Sequence, residues 1–377
     1  MDIYQEALEI HKKLKGKIQI GLRAIPDSRK KLSLFYTPGV GGVARYTSLH
    51  PKQMRDYTWT NNLVAVISDG SSVLGLGNIG PYGAMPVMEG KALLFKHFAN
   101  IDAVPIVLDV HNTGEIITAI KAIAPSFGAI NLEDIAAPQC FEIEERLKDE
   151  LDIPIMHDDQ HGTAVVVLAG LINSASLRSQ NLSEAKVVIA GAGAAGVATA
   201  LLLQHYGVNN VLVVDSQGII GPKRRDLNDS KKSLLGLNQS RIDGSLKDAL
   251  QEADIFIGVS RGGLLKPTMI KSMAKKPIIF AMANPEPEIL PTAAKAAGAY
   301  IVATGRSDFP NQINNALAFP GIFRGALDNR VKKITDAHKI TVAQAIASLV
   351  PRPAPDEIIP DIFNKNLVRV VAKSIKN

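Results

Sequence analysis

Cysteine is nearly absent from this chain of 377 residues. The single thiol, Cys140, excludes an internal disulfide and a cysteine-ligated zinc site. It suits a reducing cytoplasm, the expected location. Aromatic residues make up 5% of positions, with one tryptophan, and they do not interleave with the basic residues as a base-stacking platform requires. Net charge is only +6. The early basic group, Lys12, Lys13, Lys15, Lys17, Arg23, Arg29, Lys30 and Lys31, reads as a solvated helix face and loop, or as a field that draws in small anions. With no recognition motif beside it, nucleic acid is not an expected partner. The longest apolar stretch, residues 187–203, is interrupted by Gly191, Gly193 and Gly196, so a membrane span is not expected. The first residues carry Asp2, Glu6 and Glu9 and no apolar signal region. Repeats, low-complexity segments and a Gly/Ser linker are missing too.

What is present is alternation. The length favours two domains. Ile3, Ala7, Ile10 and Leu14 recur at helical spacing, which predicts an amphipathic helix over 2–15. Residues 35–43, FYTPGVGGV, are dense in Gly and Pro and read as a shaped loop. Strands are then predicted at 63–67, 104–110 and 129–132, with helices at 84–98, 115–124 and 140–151. A short apolar run, 153–156, precedes the acidic pair Asp158-Asp159, and a longer one covers 163–172. Strand and helix alternate again from Lys186, and the tail after Gly321 reads as helical, broken by Pro351, Pro353 and Pro355. The expected class is α/β. An N-terminal α/β domain with a mostly parallel sheet, 1–162, is followed by a C-terminal Rossmann-type dinucleotide-binding domain with a helical tail, 163–377.

The second domain carries a nucleotide signature. Gly191-Ala192-Gly193-Ala194-Ala195-Gly196 directly follows a predicted strand and opens a predicted helix. Asp215 closes the next strand about twenty residues on, the place of a ribose-binding acid. The glycines permit the turn, the approach of a pyrophosphate and close helix–strand packing, and the helix N-terminus faces the anion. Asp215 favours NAD over NADP, while Lys223, Arg224 and Arg225 weaken that preference.

The first domain carries the chemistry. Glu133-Asp134 ends a predicted strand, and Asp158-Asp159 follows another. In a parallel sheet both ends share one edge, so three or four carboxylate oxygens can reach one point, as Mg²⁺ or Mn²⁺ requires. The same residues read equally as surface turns and helix caps, and His157 and His161 beside them as structural histidines. Lys91 sits among Ala92, Leu93, Leu94 and Phe95. It is either a snorkelling surface residue or a desolvated amine with a lowered pKa, fit to abstract a proton. Tyr36, Asn284, Asn314 and Asn315 lie in Gly/Pro-flanked segments, where such residues commonly serve packing and turns.

Taken together the motifs resemble those of the malic enzymes, in their short bacterial-type form. The match runs from about Tyr36 to Gly321. It comprises Tyr36-Thr-Pro-Gly-Val40, Ser68-Asp-Gly70 with Leu74-Gly-Leu-Gly-Asn78, Gly90-Lys91, Asn131-Leu-Glu-Asp134, His157 to Thr163, Gly191 to Gly196, Asn284-Pro285, and Asn314-Asn315 with Phe319-Pro320. The resemblance implies oxidative decarboxylation of L-malate to pyruvate and CO₂ with NAD(P)⁺ and a divalent cation, and decarboxylation of oxaloacetate as well. It implies Glu133, Asp134 and Asp159 as metal ligands, Lys91 as base with Asp158 as partner, and Tyr36 as the acid that protonates the enolate. Asn284, Asn314 and Asn315 become substrate contacts, Thr163 joins the cofactor-binding residues, and a homodimer is expected. Larger relatives place an arginine for the distal carboxylate where this chain has Ser71 and Ser72. Four alternatives remain: a malolactic-type enzyme that releases lactate, a decarboxylase acting mainly on oxaloacetate, a metal-free amino-acid dehydrogenase of similar layout, and a non-catalytic NAD sensor.

Overall fold

The computed structural model describes residues 3–377. The chain begins with short helices, α1 (Ile3–Leu14), α2 (Arg29–Phe35), α3 (Gly39–Leu49) and α4 (Met54–Tyr57). None of them has a buried residue. The segment 35–43, read from sequence as a loop, is a correction: Gly39 to Val43 form the first turns of α3. Glycines lower helix propensity by about 1 kcal/mol each, but here the rest of the helix, from Ala44 to Leu49, carries them.

The first sheet follows. Its strands are β1 (Leu63–Ser68), β2 (Asp102–Val107), β3 (Ala129–Leu132) and β4 (Ile155–His157), interleaved with α5 (Gly80–Ala99), α6 (Thr113–Ile123) and α7 (Gln139–Glu150). The order is β2-β1-β3-β4 and every pairing is parallel. β1 is buried along its whole length, which explains its unbroken LVAVI run. Because all strands point one way, the residues after β1, β3 and β4 emerge along one edge.

Next comes α8 (Asp158–Arg178), with Asp158 and Asp159 in its first turn. The acidic pair thus starts a helix directly after a strand, where the N-terminal dipole favours carboxylates. Residue 162 lies inside α8, so the two sheets are joined by a buried helix. The second sheet contains β5 (Lys186–Ala190), β6 (Asn210–Asp215), β7 (Gly218–Ile219), β8 (Ile255–Gly258), β9 (Ile278–Ala281) and β10 (Ile301–Thr304). Its order is β10-β9-β8-β5-β6-β7, parallel except for the β6–β7 pair. α9 (Ala194–Tyr206) follows β5, and α10 (Asp229–Lys232), α11 (Leu246–Ala249), α12 (Pro267–Ile270) and α13 (Pro291–Ala296) decorate the later crossovers. The sheet order reverses around β5, the switch point at which such sheets bind ligands.

The tail is helical as expected: α14 (Phe319–Asp328), α15 (Asp336–Ser348) and α16 (Leu367–Lys373). It also turns back onto the first domain. Phe319 and Phe323 meet Phe95 of α5 edge-on, with ring centroids 4.7 and 5.3 Å away. One core therefore runs from β1 and α5 through α8 to β5 and α14. That continuity fixes the acidic edge of the first sheet relative to the switch point of the second. Among the described residues, no helix is long and apolar enough to cross a membrane.

Candidate active site

Lys91 is the centre of the site. It lies on α5 and is buried, with 8% of its surface exposed, which removes the snorkelling alternative. Its Nζ is 2.8 Å from Glu133 Oε1 and 2.7 Å from Asp158 Oδ2, and it sits 4.3 Å from the centroid of the Phe319 ring. The elements that supply these groups explain the convergence. Glu133 follows β3, Asp158 opens α8 after the adjacent β4, and α5 covers the sheet they share.

Glu133, Asp134 and Asp159 each offer an oxygen, and these oxygens lie within 4.8 Å of one another. Asp159 Oδ2 accepts from the Asp134 backbone N–H at 2.8 Å. Asp134 Oδ2 and Asp158 Oδ1 are buried without a partner. Burial pushes the Glu133 carboxyl well above its usual range; Lys91 pulls it back, and Asp159, Asp158 and Asp134 push it up again. Burial, then Asp159, pushes Asp134 up to about 7. The group holds more carboxylates than one ammonium can balance, and three of them present oxygens to one point. That donor set, all hard oxygen and with an orphaned buried atom, fits a hard divalent cation.

Lys91 itself corrects the lowered-pKa expectation. Burial pulls its ammonium down, but Asp158, Glu133 and Asp159 outweigh burial, and the net shift is upward. A lysine facing several buried carboxylates is held charged, whatever its desolvation.

Several neighbours named in the sequence without a role in the site gain one from their contacts. Asn131 is buried on β3 and donates to Glu133 Oε2 at 2.7 Å. Its position two residues before Glu133 is the available clue, since alternate strand residues share a face. His157 is fully buried, its Nδ1 3.8 Å from Asp159, and its backbone N–H donates to Glu144 at 2.8 Å. Glu144 also pairs with His161 at 2.7 Å, which gives that histidine a structural partner. Ser71 donates to Asp69 at 2.6 Å and accepts from the Ala136 N–H at 2.8 Å. The Ser72 N–H donates to the Asp134 carbonyl at 2.9 Å. The serines thus clip the glycine loop, residues 70–80, to the acidic strand end, and Ser71 is committed there.

The asparagines approach from the second domain. A β-carbon at Gly75 would lie 2.6 Å from the Asn284 carbonyl oxygen, and one at Gly162 would lie 1.9 Å from Asp158 Oδ1 and 3.0 Å from Asn315 Cβ. Asn284 therefore touches the glycine loop, and Asn315 packs beside Gly162 of α8, one residue from Thr163. Asn314 is partly committed, since its Oδ1 accepts from the Ala316 N–H at 2.9 Å.

Tyr36 is not gathered in. It stands between α2 and α3 and is 68% exposed. No hydrogen bond of its phenol is found among the described residues.

The dinucleotide turn sits at the switch point. Gly191 has φ 125°, and a β-carbon there would come within 2.6 Å of the Val259 carbonyl. Gly193 caps α9 with no side-chain hydrogen bond, and a β-carbon on it would project into open space. Open space over unpaired helix N–H groups, next to Ala192, Ala194 and Ala195, is what a pyrophosphate needs. Gly196 lies so close to Gly191 that a β-carbon would sit 1.9 Å from its carbonyl oxygen. Gly196→Ala is expected to cost about 1–3 kcal/mol by overpacking and to weaken NAD⁺ binding. Thermal melts with and without NAD⁺ read both effects, and an unchanged midpoint and ligand shift would contradict the packing argument.

Asp215 is held by basic residues downstream of it. Arg224 contacts it at 2.9 and 3.0 Å and Lys231 at 2.7 Å. Burial opposes them, but these hydrogen bonds hold the carboxyl down at about 2.

The sequence model described as "Malic enzyme, N-terminal domain" matches residues 16–148, and "Malic enzyme, NAD binding domain" matches 160–376. The chain is similar to a bifunctional malic/malolactic enzyme of Bacillus subtilis, 52% identical over 100% of this chain and 92% of that protein. It is also 52% identical to an NAD-dependent malic enzyme of Geobacillus stearothermophilus, over 96% of this chain and 76% of that one. Among solved structures, an NAD-dependent malic enzyme of Thermotoga maritima superposes with a TM-score of 0.96 at 51% identity, covering 98% of this chain and 99% of its own.

Proposed function

The chain belongs to the malic enzyme family, and on that premise we propose that it converts L-malate to pyruvate and CO₂ with reduction of NAD(P)⁺, and decarboxylates oxaloacetate. The observation that carries this reading is the meeting of Lys91 with Glu133 and Asp158, at 2.8 and 2.7 Å, beside a cation-competent set of carboxylates.

Glu133, Asp134 and Asp159 are the residues that would hold Mg²⁺ or Mn²⁺. When bound, the ion supplies Lewis acidity that stabilises charge on the substrate's C2 oxygen. Lys91 accepts the C2 hydroxyl proton as hydride leaves C2 for the nicotinamide, and Asp158, at 2.7 Å, orients the amine and balances the charge of the ammonium that forms. Two of the three carboxylates that keep Lys91 protonated, Glu133 and Asp159, are those assigned to the cation, so its resting charge and its role as a base are compatible. The C3–C4 bond then breaks, CO₂ departs, and the electron pair is left as the enolate of pyruvate. A phenol, assigned to Tyr36, returns a proton to C3. Asn284, Asn314 and Asn315 are assigned to the substrate, and residues 191–196 with Thr163 to the dinucleotide.

NAD⁺ is the preferred dinucleotide in this reading, because Asp215 repels a 2′-phosphate. Arg224 and Lys231 are already at hand to accept one. Asp215→Ala frees both cations and is expected to raise kcat/KM for NADP⁺ relative to NAD⁺ by about tenfold or more. An unchanged ratio would remove Asp215 from the specificity argument. The working unit is assigned as a homodimer, on the strength of the uncovered helices α1–α4.

The test is absorbance at 340 nm with L-malate, NAD⁺ and Mn²⁺, with and without chelator, together with product identification. Chelator-sensitive NADH and pyruvate support the reading, and NADH indifferent to chelator overturns the metal assignment. A second reading, release of lactate with the reduced dinucleotide retained, is favoured by the likeness to a malic/malolactic enzyme. Lactate without free NADH identifies it.

A further inference from the structure

We propose that Glu288 is a positioning residue for malate oxidation: its buried carboxylate ties the loop that carries Asn284 to the strand end on which the dinucleotide turn packs. The inference rests on the reading of Asn284 as a substrate contact and of residues 191–196 as the cofactor turn.

Three observations carry it. The first is the carboxylate itself. Glu288 is fully buried, yet among the described residues no lysine, arginine or histidine pairs with it. Its oxygens go to two backbone donors instead. Oε1 accepts from the Ser260 N–H and Oε2 from the Ala283 N–H, each at 3.0 Å. Burial pushes the carboxyl up, these N–H groups pull it back, and the net shift is upward. A buried carboxylate held without a cation is costly, and packing alone is served by an apolar side chain. Two N–H groups from different strand ends need one oxygen each, and a carboxylate offers both in one rigid plane.

The second observation is where the two donors sit. Ser260 lies two residues beyond β8 and Ala283 two residues beyond β9. These strands are neighbours, and their last residues, Gly258 and Ala281, pair. The carboxylate therefore bridges two adjacent strand ends, on the edge where a parallel sheet binds its ligand. The fit is close: a β-carbon on Gly258 would lie 2.3 Å from Glu288 Cδ.

The third is what each end leads to. Next to Ser260 is Val259, whose N–H donates to the Ala190 carbonyl at 2.9 Å and whose own carbonyl lies against Gly191 of the cofactor turn. Next to Ala283 is Asn284, whose carbonyl lies against Gly75 of the glycine loop. One carboxylate thus stands between the turn that takes the dinucleotide and the residue that takes the substrate. The two sides do not depend on it equally. The Val259 side is held by the sheet. Asn284, Pro285 and Glu286 are exposed, and the loop's other ties lie beyond Asn284: Arg306 to the Pro285 carbonyl at 3.0 Å, and the Gly263 N–H to the Pro287 carbonyl at 3.1 Å. Losing one oxygen of Glu288 is therefore felt at Asn284 and hence by the substrate.

The test is a double-mutant cycle in the intact enzyme. Glu288→Gln keeps the size and one acceptor oxygen but turns an NH₂ group toward the second N–H. It is expected to lower kcat/KM for L-malate by about 10–100-fold, the order for a misplacement of about 1 Å. NAD⁺ affinity, read by fluorescence titration without substrate, is expected to stay within about twofold of the parent. In an Asn284→Ala background the same change is expected to cost less than about threefold, because Glu288 acts through that residue. A merely structural role lowers the amount of active enzyme and leaves the two losses multiplicative. Multiplicative losses therefore overturn the proposal, as does Glu288→Gln with kcat/KM within about twofold of the parent. A fall in NAD⁺ affinity that accounts for the whole loss overturns it too. Asn284→Ala with parent kinetics removes the substrate contact and the proposal with it. A parent enzyme inert toward malate overturns the underlying reading as well. Should Glu288→Gln not fold, Glu288→Asp, which keeps the charge and both oxygens on a shorter stem, carries the same cycle.

Discussion

Lys91→Ala is expected to lower kcat for malate oxidation by roughly 10²–10⁴-fold, the usual contribution of a positioned general base. The amine is the group that both Glu133 and Asp158 reach, so the change also leaves these two buried carboxylates without their cation. Their mutual repulsion grows, and the variant should lean more heavily on a bound divalent ion for stability than the parent does. Steady-state kinetics at saturating Mn²⁺ separate the two effects. If the base is lost, kcat stays low when the ion restores the thermal midpoint. Near-full turnover of Lys91→Ala would end the assignment.

The second large effect is on the cation. Asp159→Asn removes one of the three carboxylates whose oxygens converge within 4.8 Å, and Mn²⁺ affinity should fall by at least about 100-fold. Asn131→Ala is the informative companion. Its amide donates to Glu133 Oε2 at 2.7 Å and is not itself a proposed ligand. Orienting partners of this kind are worth about 10–100-fold in affinity. Titration of free Mn²⁺ by its electron-spin signal reads both variants without any turnover. Equal affinity in the parent and in Asp159→Asn would sink the ligand assignment.

Much of the site was legible because it is written in strand ends. Glu133-Asp134 and the dinucleotide turn each follow a short β-rich run, and the parallel order of the first sheet brings Asp158 to the edge where Glu133 emerges. What stayed hidden depends on partners distant in sequence. The charge on Lys91 is set by carboxylates 42 and 67 positions away, so burial alone suggested the wrong direction. Asp215 is joined by Arg224 and Lys231 only because the chain between β6 and α10 folds back on it. Local composition misled at α3, where glycines that read as a loop begin a helix. In α5 the expected start, Ala84, falls four residues after the observed one, so Pro81 lies in a first turn that was not expected, while Pro86 lies within the expected helix. The bareness of α1 to α4 has no sequence signal at all. An amphipathic stripe shows that a face wants cover and says nothing of which chain supplies it.

The most direct measurement is diffraction at the manganese absorption edge from crystals soaked in Mn²⁺. One strong anomalous peak is expected, bounded by the carboxylates of Glu133, Asp134 and Asp159, within reach of the space in front of Lys91. Manganese bound elsewhere with that position empty at saturating ion would contradict the metal assignment.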